Sequence, residues 1–370
     1  MTTFSVRFVN YPEHYRRIWE ETRTAIDECL SRGDLIMRQQ VEDFETSLAS
    51  FVGVKHAIAL NSGTDALFFS LKAAGIKSGD EVITVSHTFV ATIAAIHYCG
   101  AKPVLVDVNE DMNMDPDLIK KAITPRTKAI VPVHLNGRIC DMKPIMEIAR
   151  KHNLNVIEDA AQSLGAKYDA RPAGSIGLTG CFSFYPAKIL GCAGDGGALV
   201  TDDDTIATTA RLLRDHGYQR STEDILMYGY NSRLDNIQAA ILNVKLKYLP
   251  AWIERRRKIA HMYQKGLEDI ADITLPPYTD KKGKFHDVFQ NYVIRSNRRD
   301  DLVQHLRNQG IEVLISWPKP THFHTALNLS AVRLPVTEKL SRTVVSIPMF
   351  PELSDEHVGI VIQKIQEFYT

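Results

Sequence analysis

The chain has 370 residues, 44% hydrophobic and 24% charged, which is the make-up of a globular protein with a large core. Lysine plus arginine and aspartate plus glutamate number 44 each, so no excess charge points to nucleic acid or an anionic membrane as partner. The N-terminal stretch MTTFSVRFVNYPEHYRR lacks the apolar core of a signal peptide, and no apolar run approaches the ~20 residues of a membrane span. Five scattered cysteines (Cys29, Cys99, Cys140, Cys181, Cys192) show neither CxxC nor zinc-finger spacing, which predicts reduced thiols and a cytoplasmic protein.

In chain order, Ile18, Ile26 and Leu30 recur at helical spacing over 12–30, Gly33 breaks the pattern, and a second amphipathic helix is predicted from about Gln39 to Phe51. Leading helices of this kind often pack against a partner subunit. From His56 onward, short apolar strands alternate with helices. AIAL, EVITV (Glu81 to Val85), PVLVD (Pro103 to Asp107), AIVPV (Ala129 to Val133) and Asn155 to Ile157 read as strands. NSGTDALFFSLKAAG, SHTFVATIAAIHYCG, 116–122 and 141–153 read as helices. Near-continuous apolar strands separated by helices predict a mostly parallel sheet covered on both faces.

The helix after the first strand opens with Asn61, Ser62, Gly63, Thr64 and Asp65. These are capping residues, and equally a place where free backbone N–H groups hold a phosphate. The turn has a single glycine, which disfavours the GxGxxG turn of a nicotinamide-dependent dehydrogenase. The strand from Asn155 ends in Glu158 and Asp159, at the strand end where ligands of open α/β sheets sit. Lys188 follows a second apolar strand (Cys181 to Tyr185) and precedes a glycine-rich turn of Gly191, Gly194, Gly196 and Gly197. Taken singly, a strand-end aspartate is usually a cap and a lone lysine is usually solvated. Supplied together by adjacent strands, they fit one recurring chemistry. The lysine forms a Schiff base with an aldehyde cofactor, and the acid keeps the cofactor's ring nitrogen protonated. Ser183 is placed to donate to a phosphate and Gln162 to a ring substituent.

Beyond Val200, a helix is predicted over 203–216, then a polar loop, 217–233, ending in GYNSRLDNIQAAIL. There Asn231 and Arg233 precede a helix bearing Leu234, Ile237, Ala240 and Ile241. A separate long helix near 250–268 carries Arg255, Arg256, Arg257 and Lys258, read as a solvated face. QNYVIR (Gln290 to Arg295) and IEVLISW (Ile311 to Trp317) read as strands, with helices near 299–309 and 354–368. The chain divides into a large domain, 1–269, including helices within 12–52, and a small α/β domain, 270–370. His322 and His324 lie two apart, but no acidic or cysteine partner supports a metal site, and none is expected.

EDAAQSLGA, SFYPAK and GDGGALVT in combination resemble the DegT/DnrJ/EryC1/StrS family of pyridoxal-phosphate-dependent sugar aminotransferases, over nearly the whole chain. The resemblance implies aminotransferase fold type I: a mostly parallel seven-stranded sheet flanked by helices, plus a small C-terminal α/β domain. It implies pyridoxal 5'-phosphate as cofactor, Lys188 as its Schiff-base lysine and acid–base group, and Asp159 on the pyridinium nitrogen. Phe89 would lie against the pyridine face and Gln162 on the ring hydroxyl. Gly63, Thr64 and Ser183 would hold the phosphate together with Asn231 of a neighbouring subunit, making the working unit a homodimer with shared sites. Related sugar dehydratases carry histidine at the lysine's position, so Lys188 implies transamination, with L-glutamate as donor and a keto nucleotide-sugar as acceptor.

Members acting on 4-keto sugars typically read SFHPTK, GEGG and NYRL. Tyr185, Asp195 and NSRLD here look more like the branch acting at C-3 of 3-oxo, including N-acetylated, hexoses. Tyr185, Arg233, Trp317 and His322 are expected on the sugar side, although Ser316-Trp317-Pro318 departs from the His-Tyr-Pro the family often has. The alternatives are amination at C-4 of a 4-keto-6-deoxy sugar, and a non-catalytic regulatory or scaffold protein of the same fold. Retention of Lys188, Asp159, Gln162 and Ser183 together argues against the last.

Overall fold

The computed structural model describes residues 4–278 and 283–370. Its centre is a seven-stranded sheet. The strands are β1 (His56–Leu60), β2 (Glu81–Val85), β3 (Lys102–Val106), β4 (Thr127–Ile130), β5 (Asn155–Asp159), β6 (Thr179–Ser183) and β7 (Gly197–Thr201). Their spatial order is β1-β7-β6-β5-β4-β2-β3. β2–β3, β2–β4, β4–β5 and β5–β6 pair parallel, and β7 runs antiparallel to both β6 and β1. The C-terminal tips of β1, β2, β4, β5 and β6 therefore share one edge, and the expected mostly parallel sheet is present.

The pleat sends alternate side chains into two separate cores. Ala57, Ala59, Ile83 and Val156 join α3 (Gln39–Val52), α6 (Pro116–Ala122), α7 (Met142–His152), the first part of α9 (Asn236–Leu267) and α11 (Pro335–Thr343) on one face. Ile58, Leu60, Val82 and Ile157 join α4 (Gly63–Ala73), α5 (Val90–Tyr98) and α8 (Asp204–Arg214) on the other. Covering on both faces is why these strands read as continuous apolar runs. A third core gathers the C-terminal turns of α9 (Ile259, Ala260, Tyr263, Leu267) against α10 (Arg299–Asn308) and α12 (Asp355–Tyr369). It also takes in an antiparallel sheet of β8 (Ile273–Thr274), β9 (Tyr292–Ser296) and β10 (Val344–Ile347). Val6, near the N-terminus, is buried in the same cluster.

Several expectations are revised. The helix predicted over 12–30 is two, α1 (Tyr11–Arg17) and α2 (Trp19–Arg32), broken at Ile18, and Leu30 is 51% exposed. Ser86 to Phe89 stay outside α5 as a loop. The helices predicted on either side of residue 250 are one, α9, continuous through Pro250. Ile311 to Trp317 form no ladder strand: Ile311 bridges Val6 and Leu314 bridges Ser346, one residue on each side. The basic run is not a uniformly solvated face. Arg256 is buried, its Nη1 donating to the carbonyls of Phe289, Gln290 and Met349 at 3.2, 3.3 and 2.9 Å. All five cysteines are free and buried, and no helix of the described residues is long and apolar enough to cross a membrane.

One of the two acids at the tip of β5 serves the fold. Glu158 is fully buried and accepts four hydrogen bonds. His134 Nε2 donates at 2.8 Å, and the N–H groups of Gly174, Ile176 and Gly177 at 2.9, 2.6 and 2.6 Å. His134 Nδ1 accepts the Cys140 N–H, which leaves the ring hydrogen on Nε2. Burial works to raise the Glu158 carboxyl, but the His134 hydrogen bond and the backbone amides hold it below the ordinary value. A group depressed on folding stabilises fully above its unfolded-chain value, ~4.3, and loses that stabilisation as pH falls through the lower folded value. Glu158→Gln would point an amide donor at donors. It is expected to cost ~3 kcal/mol at neutral pH, read as a lowered thermal midpoint, with the gap to the parent narrowing in acid.

Candidate active site

Strand alternation turns Asp159 to the opposite face from Glu158. Asp159 Oδ2 accepts from Thr92 Oγ1 at 2.7 Å and Oδ1 from the Ala161 N–H at 3.2 Å. Thr92 stands in the first turn of α5, beside Thr88 at 2.9 Å, hydroxyl to hydroxyl. Thr92 carries no sequence signal beyond an ordinary helix residue, and it went unremarked for that reason. Burial pushes the Asp159 carboxyl up, against Thr92, Ala161 and the Lys188 charge.

Lys188 closes a four-residue turn after β6, its N–H donating to the Tyr185 carbonyl at 2.8 Å. Burial pulls its amine down, opposed by the Asp159 charge. Among the described residues, Nζ has no hydrogen bond and no carboxylate within 4.0 Å. The two charges sense each other across a space too wide for an ion pair. β5 and β6 are neighbours with Asp159 opposite Cys181, so adjacent strands supply the pair, as expected.

A cradle lies beside them. Gly63 begins α4 after Ser62, whose Oγ accepts the Asp65 N–H at 3.1 Å. A Cβ on Gly63 would stand 2.8 Å from Ser183 Cβ, and one on Gly197 would stand 2.2 Å from the Ser62 carbonyl carbon. The N-terminus of α4 thus sits directly on the tips of β6 and β7, with Gly63 against Ser183. Thr64 is half-buried in the same turn. Gln162 is half-buried after β5, with Oε1 accepting the Asn136 N–H at 2.8 Å. Phe89 immediately precedes α5, one turn from Thr92, and its ring is 61% exposed.

Asn231 is exposed, while its neighbour Ser232 is buried and ties this segment to α4. Ser232 Oγ donates to Asp65 Oδ2 at 2.7 Å and approaches Asn61 Oδ1 at 3.1 Å. Arg233 Nη1 donates to Asp215 Oδ1 at 2.9 Å. Tyr185 is exposed, and Trp317 is half-buried with its ring edge-to-face on His87 at 5.5 Å. Burial holds His87 down at about 4, against the Asp107 charge. His322 does not line an open face. It is fully buried, with Nδ1 on Ser86 Oγ at 2.7 Å and Nε2 3.6 Å from Glu338, and it fastens its segment to the loop after β2.

A model of the DegT/DnrJ/EryC1/StrS aminotransferase family matches residues 16–366. The chain belongs to that family. A relative from Micromonospora megalomicea subsp. nigra, a dTDP-3-amino-3,4,6-trideoxy-alpha-D-glucose transaminase, is 42% identical over 369 residues, covering 98% of each chain. Another from Geobacillus stearothermophilus, named a pleiotropic regulatory protein, is 41% identical over 370 residues, covering 99% of each. Among solved structures, S. venezuelae DesV in complex with a ketimine intermediate has a TM-score of 0.95 at 39% identity, covering 100% of this chain and 99% of that one. The resemblance read from EDAAQSLGA, SFYPAK and GDGGALVT is borne out.

Within this aminotransferase-family site, Asp159 burdens the fold that carries it. A carboxyl raised on folding leaves the protein most stable while protonated. That stability is lost as pH rises from the unfolded-chain value, ~3.9, through the raised folded value. Asp159→Asn keeps the shape and removes the charge. The cofactor-free variant is expected to melt above the parent at neutral pH and to converge with it in acid, measured by thermal denaturation.

Proposed function

We propose that the protein is a pyridoxal-phosphate-dependent transaminase that places an amino group at C-3 of a 3-oxo nucleotide-linked hexose, with L-glutamate as donor. The observation that carries the reading is the unpaired amine of Lys188 facing the unpaired carboxylate of Asp159, with the Gly63 and Ser183 cradle alongside. Burial disfavours the charged form of each, and among the described residues neither has a counter-ion, so the pair fits a group that brings a cationic nitrogen to Asp159 and a carbonyl to Lys188. A solved relative holds the cofactor in its pyridoxamine form. When bound, pyridoxal phosphate supplies an electron-withdrawing ring at the carbon that carries the transferred nitrogen.

The chain's own residues divide the remaining work. Burial keeps the Lys188 amine available in its neutral form, which is the nucleophilic one, and afterwards lets Nζ take up and release a proton. Thr92 and Ala161 hold the Asp159 carboxylate, which would pair with a protonated ring nitrogen where low dielectric strengthens the attraction. The Gly63, Thr64 and Ser183 cradle offers backbone N–H groups, a helix N-terminus and hydroxyls to a phosphate. Phe89 would cover the ring face and Gln162 would meet the ring hydroxyl.

Asn231 would come from a second copy of the chain. Support for a dimer is its outward placement beside an exposed apolar loop, with Ile225 73%, Leu226 60% and Tyr228 100% exposed. A monomer rarely leaves such groups together in water. Support for C-3 is Tyr185, Asp195 and the NSRLD segment, with the Micromonospora relative's 3-amino product. Tyr185, Trp317 and Arg233 are the residues offered for sugar contact, and buried His322 fastens its segment to the loop after β2.

Lys188→Ala is expected to abolish the visible absorption that the purified parent shows with pyridoxal phosphate, together with all turnover. Turnover in that variant would overturn the assignment. With glutamate and a panel of nucleotide sugars, the parent is expected to aminate 3-keto and not 4-keto members. Preference for a 4-keto-6-deoxy sugar would move the reaction to C-4, and a colourless parent indifferent to the cofactor would leave a regulatory protein.

A further inference from the structure

We propose that Gln290 is a positioning residue for Lys188, acting through the peptide group that joins Ala187 to Lys188. The inference rests on reading Lys188 as the cofactor lysine. Gln290 Nε2 donates to the Ala187 carbonyl at 2.6 Å. The N–H at the other end of the same peptide group is that of Lys188, and it donates to the Tyr185 carbonyl at 2.8 Å. A peptide group is planar, so fixing both its oxygen and its hydrogen fixes its orientation, and with it the direction in which the Lys188 Cα projects the side chain. Gln290 is the only donor to the Ala187 oxygen among the described residues. Without it, one end of the peptide group is free to swing.

Gln290 is well braced for this task. It is 6% exposed, and Arg256 Nη1 holds the carbonyls of Gln290 and Phe289 from behind. The Val288 N–H donates to the Gly137 carbonyl at 2.9 Å. Gly137, at φ 96°, lets the two segments touch: a Cβ there would lie 2.6 Å from the Phe289 nitrogen. The next residue makes a parallel reach. Asn291 Nδ2 donates to Asn136 Oδ1 at 3.2 Å, and the Asn136 N–H meets Gln162 Oε1. Two consecutive residues from outside the large sheet thus touch the turn that bears Lys188 and the turn that orients Gln162.

The other end of the Gln290 amide argues that this is more than packing. Among the described residues its Oε1 is buried with no hydrogen-bond partner. An unpaired buried acceptor costs ~1–3 kcal/mol, which a hydrocarbon side chain of the same length would avoid. Methionine would remove that cost and forfeit the bond to Ala187, two effects of similar size and opposite sign, so stability gives the amide no net advantage and the N–H donor is what it adds.

Gln290→Met keeps the length and removes both polar atoms. The cofactor-free variant is expected to melt close to the parent's temperature, since the lost bond to Ala187 offsets the relieved Oε1. Its complex with pyridoxal phosphate is expected to show a displaced pH midpoint of the visible absorption, and kcat roughly 10²-fold lower with KM for the sugar unchanged. Gln290→Glu supplies a donor only when protonated, so its absorption is expected to return toward the parent's as pH is lowered. A Gln290→Met protein with the parent's pH midpoint overturns the proposal, whether or not its melting changes. A displaced midpoint with lowered melting also overturns it unless acid restores Gln290→Glu. If the parent itself forms no coloured complex, the reading of Lys188 fails and this proposal with it. A coloured parent matched by Gln290→Met removes only the role of Gln290.

Discussion

A carboxylate and an amine are desolvated at the tips of neighbouring strands and kept from closing on each other. That separation organises the molecule. Left free, a buried lysine and aspartate within reach would form an ion pair and recover part of their desolvation cost. Thr92 and Ala161 hold Asp159 from the side of the sheet, and the turn from Tyr185 to Lys188 holds the amine's backbone. The space between them therefore stays polar and unsatisfied. The remaining architecture provides for this separation: parallel strands align the tips, and a helix N-terminus stands beside them.

Glu158 and Asp159 show how one pleat separates scaffold from chemistry. They are adjacent in sequence and both buried, yet one carboxyl is held below its ordinary value and the other pushed above it. The difference lies in hydrogen bonds. Glu158 receives four, three of them from the Gly174 to Gly177 turn, and that turn leads directly into β6. Asp159 receives two. The satisfied acid fixes the strand pair that carries the unsatisfied acid and the lysine, so the more stable carboxylate underwrites the less stable one.

Most of the large sheet was legible because its strands are buried on both faces and stand out as apolar runs between amphipathic helices. Asp159, Lys188, Gly63 and Ser183 were legible because local patterns put them at strand tips and a helix start, all on one edge. What escaped the sequence was whatever depends on contacts far along the chain. Val344–Ile347 is a short apolar strand that only its pairing with Tyr292–Ser296 distinguishes from a loop. Arg256 looks like one charge among four until Phe289, Gln290 and Met349 present their carbonyls to it. Thr92, Gln290 and the burial of His322 are invisible for the same reason: a threonine, a glutamine and a histidine gain their roles from partners 67, 103 and 236 residues away.

The reading of two helices around Pro250 failed for a reason that bears on how the site is held. A proline inside a helix loses one hydrogen bond and costs ~3 kcal/mol, so a break was the local expectation. Leu246, Leu249 and Ile253 are buried on either side of it, and their packing outweighs the local preference. Continuity matters because α9 grips the site region at two levels. The Nζ of Lys245 donates to the Gly191 carbonyl in the loop after Lys188, and burial pulls that amine down to about 8 against the charges of Cys192 and Glu352. Three turns further on, Arg256 anchors the segment that carries Gln290. At ~1.5 Å per residue, an unbroken helix sets those two anchors ~16 Å apart along a single rod. A hinge at Pro250 would let the C-terminal core drift relative to the lysine loop. The continuous helix instead ties both to one element, and the Gln290 contact to Ala187 closes the loop of constraints that begins at β6.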